Sequence, residues 1–119
     1  MEAPLYKILR AARWADADAL GRVPEAPVDE QDGFLHLSDA TQVRETARRH
    51  FAGQRELVLV TLDPARFAPD TLRWEPSRGG ALFPHVYGAV PLEAVLRVDP
   101  LEARGDDFVF PDHVAVAGS

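Results

Sequence analysis

The 119-residue chain is 46% apolar and 27% charged, a composition that predicts one folded domain. The absence of cysteine excludes disulfides, thiolate nucleophiles and cysteine-ligated metals. A net charge of −6, with no basic cluster longer than Arg48, Arg49 and His50, argues against nucleic-acid binding. No apolar run approaches the roughly 20 residues of a membrane helix, and the first residues lack a signal-peptide layout, so we predict a cytoplasmic protein that does not bind membranes.

The first part of the chain predicts a strand, a short helix and a loop. Residues 5–10, LYKILR, alternate weakly between apolar and polar and predict the first strand. Residues 14–21 contain helix formers and end at a glycine, which predicts a short helix. Residues 22–32 contain two prolines and four acids, and this composition predicts a loop.

The middle of the chain predicts the main helix and a central strand. Residues 38–53 have helical spacing of apolar residues, and Asp39 with Gln42 has the spacing of a capping box at the start. Residues 56–62, ELVLVTL, form a continuous apolar run of strand length. Such a run predicts a strand that is covered on both faces.

The last part of the chain predicts mainly short strands. We expect these at residues 71–75, 85–90, 95–101 and 106–110, separated by turns and by a flexible loop with two adjacent glycines. The order of elements predicts an α+β fold with one domain over residues 1–110. We expect residues 111–119 to form a frayed C-terminal tail.

Two motifs place polar side chains on otherwise apolar strands. They are DGFLHLS at residues 32–38 and FPHVYG at residues 83–88. Because alternate side chains of a strand share a face, each motif presents an aromatic ring, a histidine and a hydroxyl on one side. These residues are Phe34, His36 and Ser38 in the first motif and Phe83, His85 and Tyr87 in the second. If the strands are neighbours, the motifs line one polar cleft.

We predict that three of the polar residues are catalytic: His36, His85 and Glu75. Imidazole suits both ligand orientation and proton transfer, and a carboxylate could act as a base or stabilise a cation. We predict ligand-binding roles for Ser38, Tyr87, Phe34, Tyr6, Trp74, Arg73 and Arg78. In the alternative interpretation, each histidine is a hydrogen-bonded core or surface group and Glu75 is an exposed strand end. No spacing supports a metal site, so we predict none.

The same residues carry a resemblance to a known family. YKIL near the start, DGFLHLS, LVLVTLD, LRWE and FPHVYG together resemble the uncharacterised bacterial family of domain of unknown function 952. The resemblance extends from about Leu5 to Leu101. That family implies no established activity.

A more distant similarity links the chain to the ADP-ribosyltransferase-like superfamily. The superfamily implies a pair of small, split or highly curved β-sheets, with one main helix and one short helix here, that grip nicotinamide adenine dinucleotide (NAD). GFLHLS with the following helix is similar to its second element, which would place His36 where a ring packs on nicotinamide. The first strand offers Tyr6 or Lys7 in place of the superfamily's histidine. Glu75 could replace the superfamily's late glutamate only if its loop folds back over the cleft.

We therefore expect a His-lined cleft that binds NAD, as a candidate substrate, or a related nucleotide-like small molecule, with ADP-ribosyl-type chemistry. The alternative is a non-catalytic module that binds a small ligand or another protein, the latter through an exposed apolar patch near Phe108 and Phe110. The sequence leaves open whether the protein is an enzyme and what its oligomeric state is.

Overall fold

The computed structural model describes residues 3–77 and 80–114, which form two small β-sheets and four helices. The strands are β1 Leu5–Arg10, β2 Leu35–His36, β3 Leu57–Leu62, β4 Leu72–Pro76, β5 Leu82–Val86, β6 Val95–Arg104 and β7 Asp107–Val109. The helices are α1 Ala11–Trp14, α2 Ala17–Leu20, α3 Pro27–Asp32 and α4 Val43–Phe51. The predicted α+β class is confirmed.

The two sheets are antiparallel and are linked by a backbone bridge. The larger sheet has the strand order β1-β3-β6-β7, and the smaller sheet has the order β2-β5-β4. Tyr6 in β1 and Ser38, two residues after β2, exchange backbone hydrogen bonds of 2.8 and 3.0 Å. This isolated bridge brings the first polar motif against the edge of the larger sheet.

Strand β3 is the central strand that its apolar run predicts. It lies between β1 and β6. Val60 and Leu62 face a core that lies between the two sheets, while Leu57 and Leu59 face a second core beneath α4. Because both of its faces are covered, the strand carries apolar residues at consecutive positions.

The core between the sheets fixes which face of the smaller sheet is polar. Leu35 and Val86 lie in this core, at 4% and 0% exposure. Since side chains alternate along a strand, the neighbouring residues His36 and His85 are directed to the opposite face. The apolar positions of the two motifs therefore orient their polar positions.

Helix α4 begins after the capping box predicted for it. The Asp39 carboxylate accepts from Gln42 N at 3.0 Å, and the Gln42 side chain accepts from Asp39 N at 3.1 Å. Val43 and Ala47, at helical spacing, are fully buried. The regular helix starts only at Val43 because residues 39–42 form a turn.

The loop predicted for residues 22–32 is wrong in its second half, where α3 forms. Pro27 occupies the first helical position, where its missing N–H and fixed φ are compatible with a helix. The Asp29 carboxylate accepts from Ala26 N at 2.7 Å, and Gly33, at φ 82°, ends the helix. Two prolines suggested a loop, but one of them starts a helix.

Other boundaries also differ from the prediction. The helix predicted at residues 14–21 is reduced to the single turn α2, and a separate single turn, α1, precedes it at Ala11–Trp14. The strand in the first motif has only two residues. Strand β5 begins at Leu82 instead of residue 85, and β6 continues to Arg104. Short 3-10 turns occupy Pro64–Arg66 and Leu92–Ala94.

The prediction of an exposed apolar patch near Phe108 and Phe110 is wrong. Phe108 is 8% exposed within the core beneath α4, and Phe110 packs against that core. Val114 is buried in the same core, and residues 115–119 of the predicted tail lie outside the described residues. None of the helices in the described ranges is long and apolar enough to cross a membrane.

A matched pair of leucine substitutions tests the position of the core between the sheets. Leu62 is 0% exposed there, whereas Leu96 is 57% exposed. We expect Leu62→Ala to lower the free energy of unfolding by about 2–5 kcal/mol because it removes buried methylenes and leaves a cavity. Leu96→Ala should change it by about 0.5 kcal/mol or less. Urea denaturation measures both, and equal losses would contradict this core.

Candidate functional site

The two motifs lie side by side in the smaller sheet. Strands β2 and β5 pair antiparallel, with His36 directly opposite His85. The centroids of the two imidazole rings are 5.2 Å apart, in an edge-to-face arrangement. The adjacency required by the single-cleft hypothesis is therefore present.

Phe34 connects the side chains of the two motifs. The centroid of its ring lies 4.3 Å from that of His85, 4.6 Å from that of His36 and 4.9 Å from that of Tyr87. Contacts of this kind are worth about 0.5–1.5 kcal/mol each beyond simple burial. Phe34 therefore packs against all three polar rings and joins them in one cluster.

Glu75 in β4 holds the second histidine. Its Oε1 accepts from Nδ1 of His85 at 2.8 Å and from the hydroxyl of Tyr87 at 2.7 Å. These hydrogen bonds, the one from Tyr87 first, lower the pKa of Glu75, while the carboxylate raises the pKa of Tyr87. Because Nδ1 of His85 donates to the carboxylate, the lone pair of the neutral ring lies on Nε2.

His36 lies between two carboxylates of α3. Its Nδ1 is 2.7 Å from Oδ1 of Asp29, and its Nε2 is 3.0 Å from Oδ2 of Asp32. The backbone N of His36 also donates to Oδ1 of Asp29 at 3.0 Å. The ring and the main chain of His36 are therefore tied to the same carboxylate.

Asp29 is also half of a buried ion pair with Lys7 of β1. The side chains are 4% and 0% exposed for Lys7 and Asp29, and Nζ lies 2.6 Å from Oδ2. Lys7 Nζ also donates to the carbonyl of His36 at 3.0 Å. Burial lowers the pKa of Lys7, and the charge of Asp29 offsets part of that effect. Burial would raise the pKa of Asp29, but the hydrogen bond from His36 and the ammonium of Lys7 outweigh it and lower the pKa to about 2.

A groove of about 1000 Å³ passes over His36. It lies between α3 and α4, with β1 as its floor, and its lining includes Tyr6, Lys7, His36, Ser38 and Phe83. Its lining includes charges of both signs and more apolar than polar surface. A cavity with these properties is typical of a binding site for an organic molecule with polar groups.

A smaller cavity of about 520 Å³ includes Phe34, Arg13 and Arg22 in its lining. Both guanidinium groups are engaged by Glu25, since Arg22 Nε donates to its carboxylate at 2.8 Å and Arg13 Nε to its backbone carbonyl at 2.8 Å. The positive charges of Arg13 and Arg22 in this cavity are therefore already paired with Glu25.

The structure does not bring every predicted site residue to the groove. Ser38 is buried there, with Oγ 3.0 Å from Oγ1 of Thr46. Arg73 lies over the ring of Tyr87, with Cζ 5.5 Å from the centroid. Trp74 is 45% exposed and, by strand alternation, lies on the other face of β4, so its predicted place in the cleft is wrong.

Other predicted residues also lie away from the groove lining or beyond the described structure. Glu75, His85 and Tyr87 form their cluster next to the groove and are not part of its lining. Arg78 lies outside the described residues. Within the described ranges, no group of three or more histidine, aspartate and glutamate side chains is placed to hold a metal ion.

The sequence interpretation missed two residues of the site, Asp29 and Asp32, and the pairing of Lys7 with Asp29. Asp29 and Asp32 are three positions apart, a spacing that places both on one side of a helix. That signal was hidden because the segment was interpreted as a loop. A lysine between Tyr6 and Ile8 in an apolar strand was the other signal, since a buried lysine needs a partner.

Comparison with known families agrees with this architecture. Residues 8–98 match the model of the family described as "Protein of unknown function (DUF952)". The chain belongs to this family. The match covers both polar motifs, and the resemblance noted from those motifs is confirmed for this family. No curated protein matches the chain.

Solved structures show the same fold. The crystal structure of protein CC0527 from Caulobacter crescentus is 42% identical, covers 89% of this chain and 92% of its own, and has a TM-score of 0.82. The solution structure of CC0527 is 42% identical over 88% of this chain and 90% of its own, with a TM-score of 0.73. These comparisons establish the family and the fold, and they attach no activity to either.

Acid unfolding tests the charge state of Asp29. Its pKa in the folded protein, about 2, lies below the ordinary value of 3.8, so its stabilising contribution is present above about pH 4 and is lost as the pH falls through about 2. At about 1.4 kcal/mol per pKa unit, this contribution is about 2 kcal/mol. We expect the wild type to lose it over that range, and Lys7→Met/Asp29→Asn to lose about 2 kcal/mol less. Urea denaturation at several pH values measures this, and parallel curves would contradict it.

The titration of Tyr87 tests the second cluster. The carboxylate of Glu75 holds the pKa of Tyr87 above the ordinary 10.0, so Glu75→Gln should lower it. Tyrosinate absorbance measures this in a Tyr6→Phe background, in which Tyr87 is the one remaining tyrosine. Glu93→Gln removes an exposed carboxylate elsewhere and should leave the titration unchanged. An unaltered pKa in Glu75→Gln would show that the Glu75–Tyr87 bond does not persist in solution.

Proposed function

We propose that this protein binds NAD or a related nucleotide-like small molecule in the groove over His36. The observation that carries the proposal is a groove of about 1000 Å³ whose lining contains His36 and Lys7 at the joint between the two sheets. Ligand pockets range from about 300 to 1,000 Å³, so this groove is large enough for a dinucleotide.

The lining offers suitable contacts for both parts of such a ligand. Arg10 and Arg49 lie along the groove, where guanidinium groups can bind phosphate oxygens. Phe51 and Phe83 supply apolar surface on which a planar base can pack. His36, in the same lining, can bind a ribose hydroxyl or a phosphate oxygen through Nε2.

The proposed chemistry rests on the distant resemblance of the sequence to the ADP-ribosyltransferase-like superfamily. Two small sheets with a groove at their joint are consistent with the split sheets of that superfamily. ADP-ribosyl chemistry would break the bond between the nicotinamide nitrogen and C1′ of the ribose and pass C1′ to an acceptor or to water. Glu75, with its lowered pKa, is ionised and can stabilise the positive charge that develops on the ribose.

One observation favours the alternative of non-catalytic binding of the same ligand. Glu75 does not line the groove, and its carboxylate is already engaged by His85 and Tyr87. Catalysis therefore requires the reacting ribose to reach past His36 to Glu75, whereas binding requires only the groove. We propose binding as the primary function and ADP-ribosyl transfer or hydrolysis as the activity to be tested with it.

Titration of isotope-labelled protein with NAD and with ADP-ribose tests the proposal. We expect amide and imidazole shifts at residues 33–38 and at β1, and a loss of affinity of about tenfold or more in His36→Ala, since a lost hydrogen bond to a charged partner costs about 1.5–3 kcal/mol. His113→Ala is the matched control, because His113 bonds to Thr61 in the larger sheet and is not part of the groove lining.

The outcomes separate the two functions. Absence of shifts with both ligands at millimolar concentration would contradict nucleotide binding. Binding without release of nicotinamide from NAD would establish a non-catalytic module. Binding with release that is lost in Glu75→Gln would establish ADP-ribosyl chemistry and assign its carboxylate.

A further inference from the structure

The carboxylate of Asp29 lies behind His36 and is not part of the groove lining. Asp29 is fully buried and accepts four hydrogen bonds, from Lys7 Nζ, Ala26 N, His36 N and His36 Nδ1, at 2.6–3.0 Å. Each acceptor oxygen takes two of them. A carboxylate with this many donors has a fixed orientation and stays ionised.

The bond to the His36 ring determines where the ring carries its proton. Asp29 has only acceptor capacity, so the Nδ1 of His36 at 2.7 Å from it must be the donor. The tautomer of an imidazole is set by the hydrogen bond that its other nitrogen makes. The Asp32 carboxylate, 3.0 Å from Nε2, likewise only accepts, so the ring donates from both nitrogens in this geometry. The neutral ring keeps its one proton on Nδ1, where the acceptor is buried and fixed, and Nε2 is then the nitrogen with the free lone pair.

We propose that Asp29 is a positioning residue that holds His36 with Nδ1 protonated, so that Nε2 is the atom with which His36 meets its ligand. Lys7 supports this arrangement: its ammonium neutralises the buried carboxylate of Asp29 and also donates to the backbone carbonyl of His36. The inference rests on the proposed function only for the ligand that Nε2 meets, since the tautomer is a property of the protein alone.

Asp32 has a different role from Asp29. It contacts Nε2 at 3.0 Å, but its side chain is 41% exposed at the end of α3. An exposed ion pair contributes about 0–1 kcal/mol, so a ligand oxygen can replace this contact at low cost. Asp32 is therefore an exchangeable partner of the groove-facing nitrogen, whereas Asp29 is a fixed partner of the opposite nitrogen.

The two aspartates provide a matched experiment on one ring. Asp29→Asn and Asp32→Asn make the same chemical change on the same helix, at opposite nitrogens of His36. Long-range ¹H–¹⁵N spectra of labelled protein at a pH of about 8, above the ordinary imidazole pKa of about 6.5, report which nitrogen is protonated. Spectra of His36→Ala assign the signals.

We expect Nδ1 of His36 to be protonated in the wild type and in Asp32→Asn. Asp29→Asn should shift the ring toward the form protonated on Nε2, which free histidine prefers. Because Asp29→Asn leaves Lys7 buried without its carboxylate, the variant can fail to fold. Lys7→Met/Asp29→Asn removes both charges and should give a folded protein with the same change of tautomer.

Two results would overturn the inference: an unprotonated Nδ1 in the wild type, or a protonated Nδ1 that persists in a folded protein without the Asp29 carboxylate. ADP-ribose titration tests the link to ligand binding. The double variant should bind on the order of tenfold more weakly, the lower end of the effect seen when the hydrogen-bond partner of a metal-ligating histidine is removed. A correct tautomer without ADP-ribose binding by any variant would reject the proposed function and leave the positioning role intact.

Discussion

The buried ion pair between Lys7 and Asp29 is the interaction on which the arrangement of the site depends. Lys7 belongs to the larger sheet and Asp29 to α3, and through His36 the pair reaches the smaller sheet. Removing one member of such a pair leaves an uncompensated buried charge, at a cost of about 3–5 kcal/mol. The pair therefore connects three parts of the chain, whereas the Tyr6–Ser38 backbone bridge connects the larger sheet only with the end of the first motif.

The two histidines have the same kind of support from different sources. His36 donates to the carboxylate of Asp29, in the helix before its own strand. His85 donates to the carboxylate of Glu75, in the neighbouring strand β4. In both cases Nδ1 donates to that carboxylate, and Phe34 lies against both rings. The site is thus a pair of carboxylate-oriented imidazoles that share one aromatic neighbour, and one of the two lines the groove.

Features that depend on local periodicity were predictable, and features that depend on distant partners were not. The capping box of Asp39 and Gln42, the doubly covered β3 and the alternation that separates His36 from Leu35 all follow from spacing within one segment. Helix α3 was missed because two prolines suggested a loop, and because the partner of its buried Asp29, Lys7, is distant in sequence. The placement of Trp74 failed for a related reason, since the face that a short edge strand buries is decided by its neighbours and not by its own sequence.

The cost of burying two charges is a reason to regard the Lys7–Asp29 ion pair as part of a site and not only as part of the fold. Apolar side chains of similar volume at the positions of Lys7 and Asp29 would often stabilise a protein as well or better, because desolvating two charges is costly. Such side chains would fill the space but could not accept from His36 N and Nδ1 or donate to its carbonyl. Three of the polar contacts of the pair are thus made with one histidine that faces a groove. What the charged pair provides, beyond what apolar packing could supply, is a fixed orientation of His36.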